Sequence, residues 1–134
     1  MTDKKFSIKA ITLGLITCLL VSSLMSGLLA FAMGIPFTSK DPSKAYDNFM
    51  FSFLDLVFSL SSAILGGFVT GKIDRDNFSL NAAVAGTLLW LLLVGSYFAS
   101  HMAAPVWYTV SWIFATIPAV YFGAKLAARE NSRN

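Results

Sequence analysis

The stretch that decides the fold is FMFSFLDLVFSLSSAILGGFVTG, residues 49–71, in which Asp55 is the single charged residue. A helix that crosses a bilayer needs roughly 20 mostly apolar residues, and this stretch meets that length. Two further stretches, 10–35 and 77–124, carry no charge when His101 is counted as neutral. The second is long enough for two spans and is interrupted near Pro105. The chain therefore predicts four membrane-spanning helices.

The composition of the whole chain agrees with this class. Of 134 residues, 13% are charged and 56% hydrophobic, whereas a soluble domain has about 25% charged residues. The net charge of +3 comes from short basic clusters between apolar runs, which argues against nucleic acid as a partner. We predict an all-α membrane four-helix bundle that forms a single transmembrane domain over residues 1–134. Its helices are expected near 8–34, 44–72, 78–101 and 104–127, and a weak parallel repeat of 1–75 and 76–134 stays open.

The basic residues predict the orientation of the bundle, because cytoplasmic loops carry an excess of Lys and Arg. Eight of the ten Lys and Arg precede the first helix, lie between the second and third, or follow the fourth. Only Lys40 and Lys44 lie on the other side. Both termini should therefore be cytoplasmic, with Trp107, Tyr108 and Trp112 at the outer interface.

The start of the second helix has two interpretations. Asp41 before Pro42 resembles a capping residue followed by proline at the first helical position. A continuous helix from there to Gly71 would be about 45 Å long, which exceeds a hydrocarbon core of about 30 Å. The helix would then protrude or tilt, or else a separate interfacial turn precedes it.

Polar and small residues of the second helix recur at steps of three and four, so they share one face. Phe51, Phe58 and other large residues form a second stripe, which we expect to face lipid. Asp55 lies on the polar face, where an ionised carboxylate costs roughly 2.5–3.5 kcal/mol and needs a partner or water. The candidate polar site comprises Asp55, Ser52, Ser59, His101 and Tyr97. Asp55 is either a proton or cation acceptor, with His101 as its nearest candidate counter-group, or a hydrogen-bonded residue that locks helix packing.

Small residues at four-residue spacing predict close helix contacts, since helices in lipid associate through small side chains. These candidate packing residues are Gly67, Gly71, Ser111, Ala115, Ala119 and Gly123. They could pack within the bundle, or one ridge could bind a second copy or another membrane protein.

No pattern in the chain indicates a cofactor, a metal site or catalysis. Cys18 is the single cysteine and His101 the single histidine, and neither a phosphate-binding glycine loop nor a hydrolase motif occurs. We therefore predict a protein that is not an enzyme, although a close approach of Asp55 and His101 would reopen that class.

A resemblance to known proteins rests on three features. They are Gly66-Gly67, the polar turn that follows, and Asn81-Ala-Ala-Val-Ala-Gly86 at the start of the third helix. Over residues 66–86 the chain resembles small bacterial four-span inner-membrane proteins that have no characterised activity. The resemblance implies a four-helix bundle in the inner (plasma) membrane. Small multidrug exporters, also four-span proteins, have an acid in their first helix, and this chain has none there.

Two functions follow from these patterns. The first is a non-enzymatic accessory or scaffold subunit that acts through helix–helix association. The alternative is a small proton- or cation-linked transporter or channel-like oligomer that uses Asp55.

Overall fold

A computed structural model describes residues 6–35, 42–100 and 104–130, apart from the side chains of Pro42, Ser43 and Ser100. The described chain forms four long helices. They are α1 (Ile8–Ala32), α2 (Phe49–Ile73), α3 (Phe78–Ser100) and α4 (Val106–Glu130). All four are long and apolar enough to cross a membrane. The predicted all-α class is confirmed, and the chain is a multi-pass integral membrane protein.

The predicted start of the second helix, at residue 44, is wrong. Residues Pro42–Asp47 form a separate 3₁₀ segment, and α2 begins at Phe49. Asn48 separates the two because its side-chain oxygen accepts hydrogen bonds from the backbone N–H groups of Met50 and Phe51. This is the capping role that Asn favours. A separate short segment before α2 is therefore the correct alternative, and α2 itself has the length of an ordinary span.

The other helix boundaries lie close to those expected. Ser7 caps α1, where its hydroxyl accepts from the backbone N–H of Ala10. α1 ends at Ala32, two residues earlier than predicted, and Gly34 follows with a φ of 66° that favours glycine. α4 starts directly after Pro105 and continues to Glu130.

α2 is the central helix, and it packs against both α1 and α4. The α2–α4 contact is close: a Cβ atom added to Gly71 would lie 2.5 Å from the carbonyl oxygen of Ala124. Added Cβ atoms on Gly67 and Gly123 would overlap the carbonyl oxygens of Val120 and Ile64. Backbone approach of this kind requires glycine and is the expected mode of association in lipid. These three predicted packing residues thus act within the bundle.

The small-residue ridge of α4 is only partly buried. Gly123 is buried, Ala115 and Ala119 are half-buried, and Ser111 is exposed. A four-residue step exceeds the 3.6 residues of one helical turn, so successive positions rotate by about 40° around the helix. The ridge therefore winds off the α2 contact, and Ser111 does not lie on the packing face that the spacing predicted.

The polar face of α2 is buried as expected, whereas the Phe stripe is only partly exposed. Ser52, Asp55, Ser62 and Thr70 on the polar face are all buried. The expectation that the Phe stripe faces lipid is wrong for Phe51, which is 4% exposed. The 3₁₀ segment covers it, and its ring meets Tyr46 edge-on at 5.5 Å.

The end of the bundle at the α2–α3 turn is held by a buried amide. The Oδ1 of Asn81 accepts from the backbone N–H of Ser7 at 2.8 Å. Its Nδ2 donates to Asp74 at 2.9 Å. The start of α1, the turn and the start of α3 are thereby joined.

Candidate ligand site around Asp55

Asp55 lies on the polar face of α2, on the side of the bundle opposite the α2–α3 turn. It is 2% exposed within the protein. Helical periodicity places it on the same face as Ser52, Ser59 and Ser62, which are also buried. The carboxyl group therefore points into the bundle and not toward lipid.

Three hydroxyl groups from separate segments donate hydrogen bonds to this carboxylate. Ser26 of α1 donates to Oδ1. Tyr108 of α4 donates to Oδ2 at 2.6 Å, and Tyr46 of the 3₁₀ segment donates to the same oxygen at 3.4 Å. An ionised carboxylate only accepts hydrogen bonds, and it has about four positions for them. Hydroxyl donors therefore satisfy most of the hydrogen-bonding capacity of Asp55, and the partners that the structure describes for it are all neutral.

The 3₁₀ segment holds Tyr46 above Asp55. The Ser52 hydroxyl donates to the backbone carbonyl of Tyr46 at 2.9 Å, which fixes the segment to the first turn of α2. The Tyr46 ring packs edge-on against Tyr108 at 5.3 Å between centroids. Burial, followed by the negative charge of Asp55, raises the pKa of Tyr46 from 10.0 to about 12. Tyr46 therefore stays a hydrogen-bond donor throughout the physiological pH range.

The Asp55 carboxylate forms part of the wall of a cavity of about 260 Å³. Such a volume lies just below the range of about 300–1,000 Å³ that is usual for small-molecule sites. All four helices and the 3₁₀ segment contribute to the lining. The rings that line it are Tyr46, Tyr97, Phe98, Tyr108 and Trp112. Among the described lining residues none is basic, so the formal charge of the described wall comes from one carboxylate.

The residues predicted for the polar site separate into three groups. Asp55, Ser59 and Tyr97 line the cavity. Ser52 is buried but supports the 3₁₀ segment through its hydrogen bond to Tyr46. His101 lies outside the described residues, so neither its approach to Asp55 nor the enzyme class that depends on it is tested.

Sequence reasoning missed Tyr46 altogether and did not single out Ser26 and Tyr108 from the other polar residues at similar depth. Ser26 and Tyr108 are polar residues within apolar runs, so the sequence alone could have indicated them as partners of Asp55. Tyr46 is different, because its position depends on the chain folding back over Phe51 at Asn48.

Two smaller cavities continue along the polar face of α2. The first, about 20 Å³, shares Ser22, Ser59 and Trp112 with the main cavity. The second, about 10 Å³, lies beside Gly66 and Thr70. Their volumes are close to the minimum of about 10–15 Å³ that one water molecule needs. At this second cavity α1 and α2 are in close contact, since a Cβ atom on Gly66 would lie 2.6 Å from the carbonyl oxygen of Gly14, which also lines it.

Within the described residues there is no group of three or more His, Cys, Asp or Glu side chains that could hold a metal ion. Comparisons with models of protein families, with curated proteins and with solved structures give no match. The resemblance over residues 66–86 therefore stays a prediction, and function has to be argued from the site.

Proposed function

We propose that this integral membrane protein binds a proton or a small cation at Asp55 and moves it across the bilayer. The observation that carries the proposal is a buried carboxylate at the wall of a cavity between the helices, at the end of the bundle opposite the α2–α3 turn. A carboxylate at membrane depth is costly, and such residues commonly mark ion or substrate pathways. Binding of a positive charge would neutralise that cost.

The chain of cavities supports transport in addition to binding. The wide cavity at Asp55 shares lining residues with a small one beside Ser59, and a second small one lies beside Thr70, where α1 and α2 are in close contact. This is the arrangement expected of a pathway that is wide toward one side of the membrane and closed toward the other. Movement of a ligand would require the closed part to open while the wide part contracts.

The test is flux in liposomes, with wild-type protein and two Asp→Asn variants. Asp55→Asn removes the buried charge, whereas Asp76→Asn removes an exposed charge from the α2–α3 turn. Asp55→Asn should abolish proton- or cation-linked flux, and Asp76→Asn should transport as the wild type does. A folded Asp55→Asn variant with full flux would contradict the proposal. Loss of flux only together with loss of the fold would assign Asp55 to helix packing.

The second candidate is the non-enzymatic accessory or scaffold subunit. It is favoured by a shallow groove on α3 that Leu88, Leu92, Gly95 and Ala99 line. A Cβ atom on Gly95 would meet no other atom within 4 Å, in contrast to the glycines of the α2–α4 contact. Small residues exposed to lipid favour close association with another helix, from a second copy or from another membrane protein.

Crosslinking in mild detergent separates this candidate from the first. Gly95→Leu should abolish a crosslinked oligomer or co-purified partner and leave flux unchanged. A monomer without partners would contradict the accessory role.

We further propose that the protein resides in the inner (plasma) membrane with both termini in the cytoplasm. The clustering of Lys and Arg before α1, between α2 and α3, and after α4 supports this orientation. The wide end of the Asp55 cavity would then face the outer side.

A further inference from the structure

We infer that the ligand of the Asp55 cavity is a small hydrophobic ammonium ion, a protonated or quaternary amine with an apolar body. This inference rests on the proposed cation site and specifies its chemistry. It follows from the charge of the cavity, the rings of its wall and its volume, which are independent observations.

The charge of the cavity selects a positive ligand with one charged group. Ser26, Tyr46 and Tyr108 already donate to the Asp55 oxygens. Of about four acceptor positions on a carboxylate, roughly one remains for a ligand N–H or for a simple electrostatic contact. A hard inorganic dication takes six or more oxygen ligands, and the described wall supplies one carboxylate. An ammonium group needs far fewer ligands.

The rings of the wall select an organic cation. Tyr46 and Tyr108 meet edge-on at 5.3 Å, and Tyr108 stacks on Trp112 at 6.4 Å between centroids. These three rings form one continuous wall beside the carboxylate. Aromatic faces next to an anion bind alkylammonium groups through cation–π attraction, with tryptophan the strongest. A fully hydrated inorganic ion would gain little from such a wall.

The volume and the route of access limit the ligand to a small amphiphile. A cavity of about 260 Å³ is too small for a typical drug-sized molecule. On the α3 side its wall includes Tyr97 and Phe98, which are 38% and 71% exposed. These exposed side chains therefore separate this side of the cavity from the lipid. Such a wall suits a ligand that enters from the membrane.

The experiment measures binding of benzyltrimethylammonium to the full chain in nanodiscs by tryptophan fluorescence and calorimetry. Its neutral isostere, neopentylbenzene, has the same shape and no charge. The ammonium ion should bind at least about 10-fold more tightly than the isostere, and Asp55→Asn should remove that preference. Trp112→Leu should weaken ammonium binding by roughly 3- to 30-fold. Trp90→Leu is the matched control, since Trp90 is half-buried on α3 and does not line the cavity.

The outcomes are distinct. Equal affinity for ammonium and isostere, or an unchanged affinity in Trp112→Leu, would overturn the inference. If Asp55→Asn fails to fold, two measurements still test the inference. They are the preference of the wild type for the ammonium ion over the isostere, and the loss of ammonium affinity in Trp112→Leu. Asp55-dependent proton or sodium flux without ammonium binding would overturn the inference while the proposed function stands. The absence of both Asp55-dependent flux and ammonium binding would overturn the proposed function and this inference together.

Discussion

At the scale of single residues, the partners of Asp55 explain how a carboxylate is held inside a membrane bundle. Its donors are hydroxyls from α1, α4 and the 3₁₀ segment, and every buried side-chain nitrogen and oxygen of the described residues has a hydrogen-bond partner. Donation from neutral groups stabilises negative charge without fixing a cation in the cavity. In the proposed function, the positive ligand would then bind a carboxylate that these neutral donors already position.

Removal of one donor should cost stability. In Tyr108→Phe the shortest tyrosine–carboxylate bond, 2.6 Å, is lost. Hydrogen bonds to charged groups contribute about 1.5–3 kcal/mol, so the free energy of unfolding should fall by about that amount. Tyr121→Phe is the matched control, since Tyr121 packs against Phe78 with tilted rings and is 39% exposed. Equal stability of the two variants in a detergent unfolding titration would refute the role of the Tyr108 hydroxyl.

The raised pKa of Tyr46 predicts a specific alkaline behaviour. Burial and then Asp55 raise the pKa from 10.0 to about 12, so between these values the folded protein keeps a proton that the unfolded chain releases. This contribution to stability is complete below pH 10 and is lost as the pH rises through about 12. The near-ultraviolet absorbance of tyrosinate, as a difference between wild type and Tyr46→Phe, should show this late titration. A midpoint near 10 in that difference would contradict it.

The residues of the site differ in how far sequence could predict them. Asp55 stands out because it is the single charge in an apolar run, and the spacing of α2 correctly placed Ser59 beside it. Tyr46 could not be predicted, because it reaches the carboxylate through tertiary folding. His101 was proposed as a counter-group because imidazole can be protonated. That property does not indicate where the side chain lies relative to Asp55.

At the scale of helices, α2 shows why lengths are easier to predict than ends. Apolar length follows directly from the thickness of the bilayer, and all four spans were found on that basis. Pro42 and Asn48 are both acceptable helix starts. The choice between them depends on the bonds that hold the 3₁₀ segment against α2, which local sequence does not contain.

The α2–α4 contact predicts a sharp dependence on glycine. Gly67→Ala should lower the free energy of unfolding by about 1–3 kcal/mol, the usual cost of overpacking, because its methyl group would overlap the backbone of Val120. Gly95→Ala is the control, since no atom lies within 4 Å of the added Cβ. That variant should be as stable as the wild type. Unfolding in mixed micelles measures both, and a tolerant Gly67 would mean that the helices separate at little cost.

At the scale of the whole molecule, the proposed orientation is testable with cysteine chemistry. Cys18 is the single cysteine and is 5% exposed, so the wild type should give little background with an impermeant maleimide. Lys44→Cys and Asp76→Cys place thiols at exposed positions of the 3₁₀ segment and the α2–α3 turn. Lys44→Cys should react in intact cells, and Asp76→Cys only after permeabilisation. The reverse pattern would invert the proposed topology.

The hydrogen bonds of Asp55 also have a consequence for biogenesis. During synthesis α2 precedes α4, so Asp55 leaves the ribosome well before Tyr108 does. Until α4 is inserted, only Ser26 and Tyr46 of these three hydroxyls can donate hydrogen bonds to Asp55. The cost of an acid at membrane depth, roughly 2.5–3.5 kcal/mol, then falls on an incomplete bundle. A chain that stops before α4 therefore keeps an acid that lacks the Tyr108 donor.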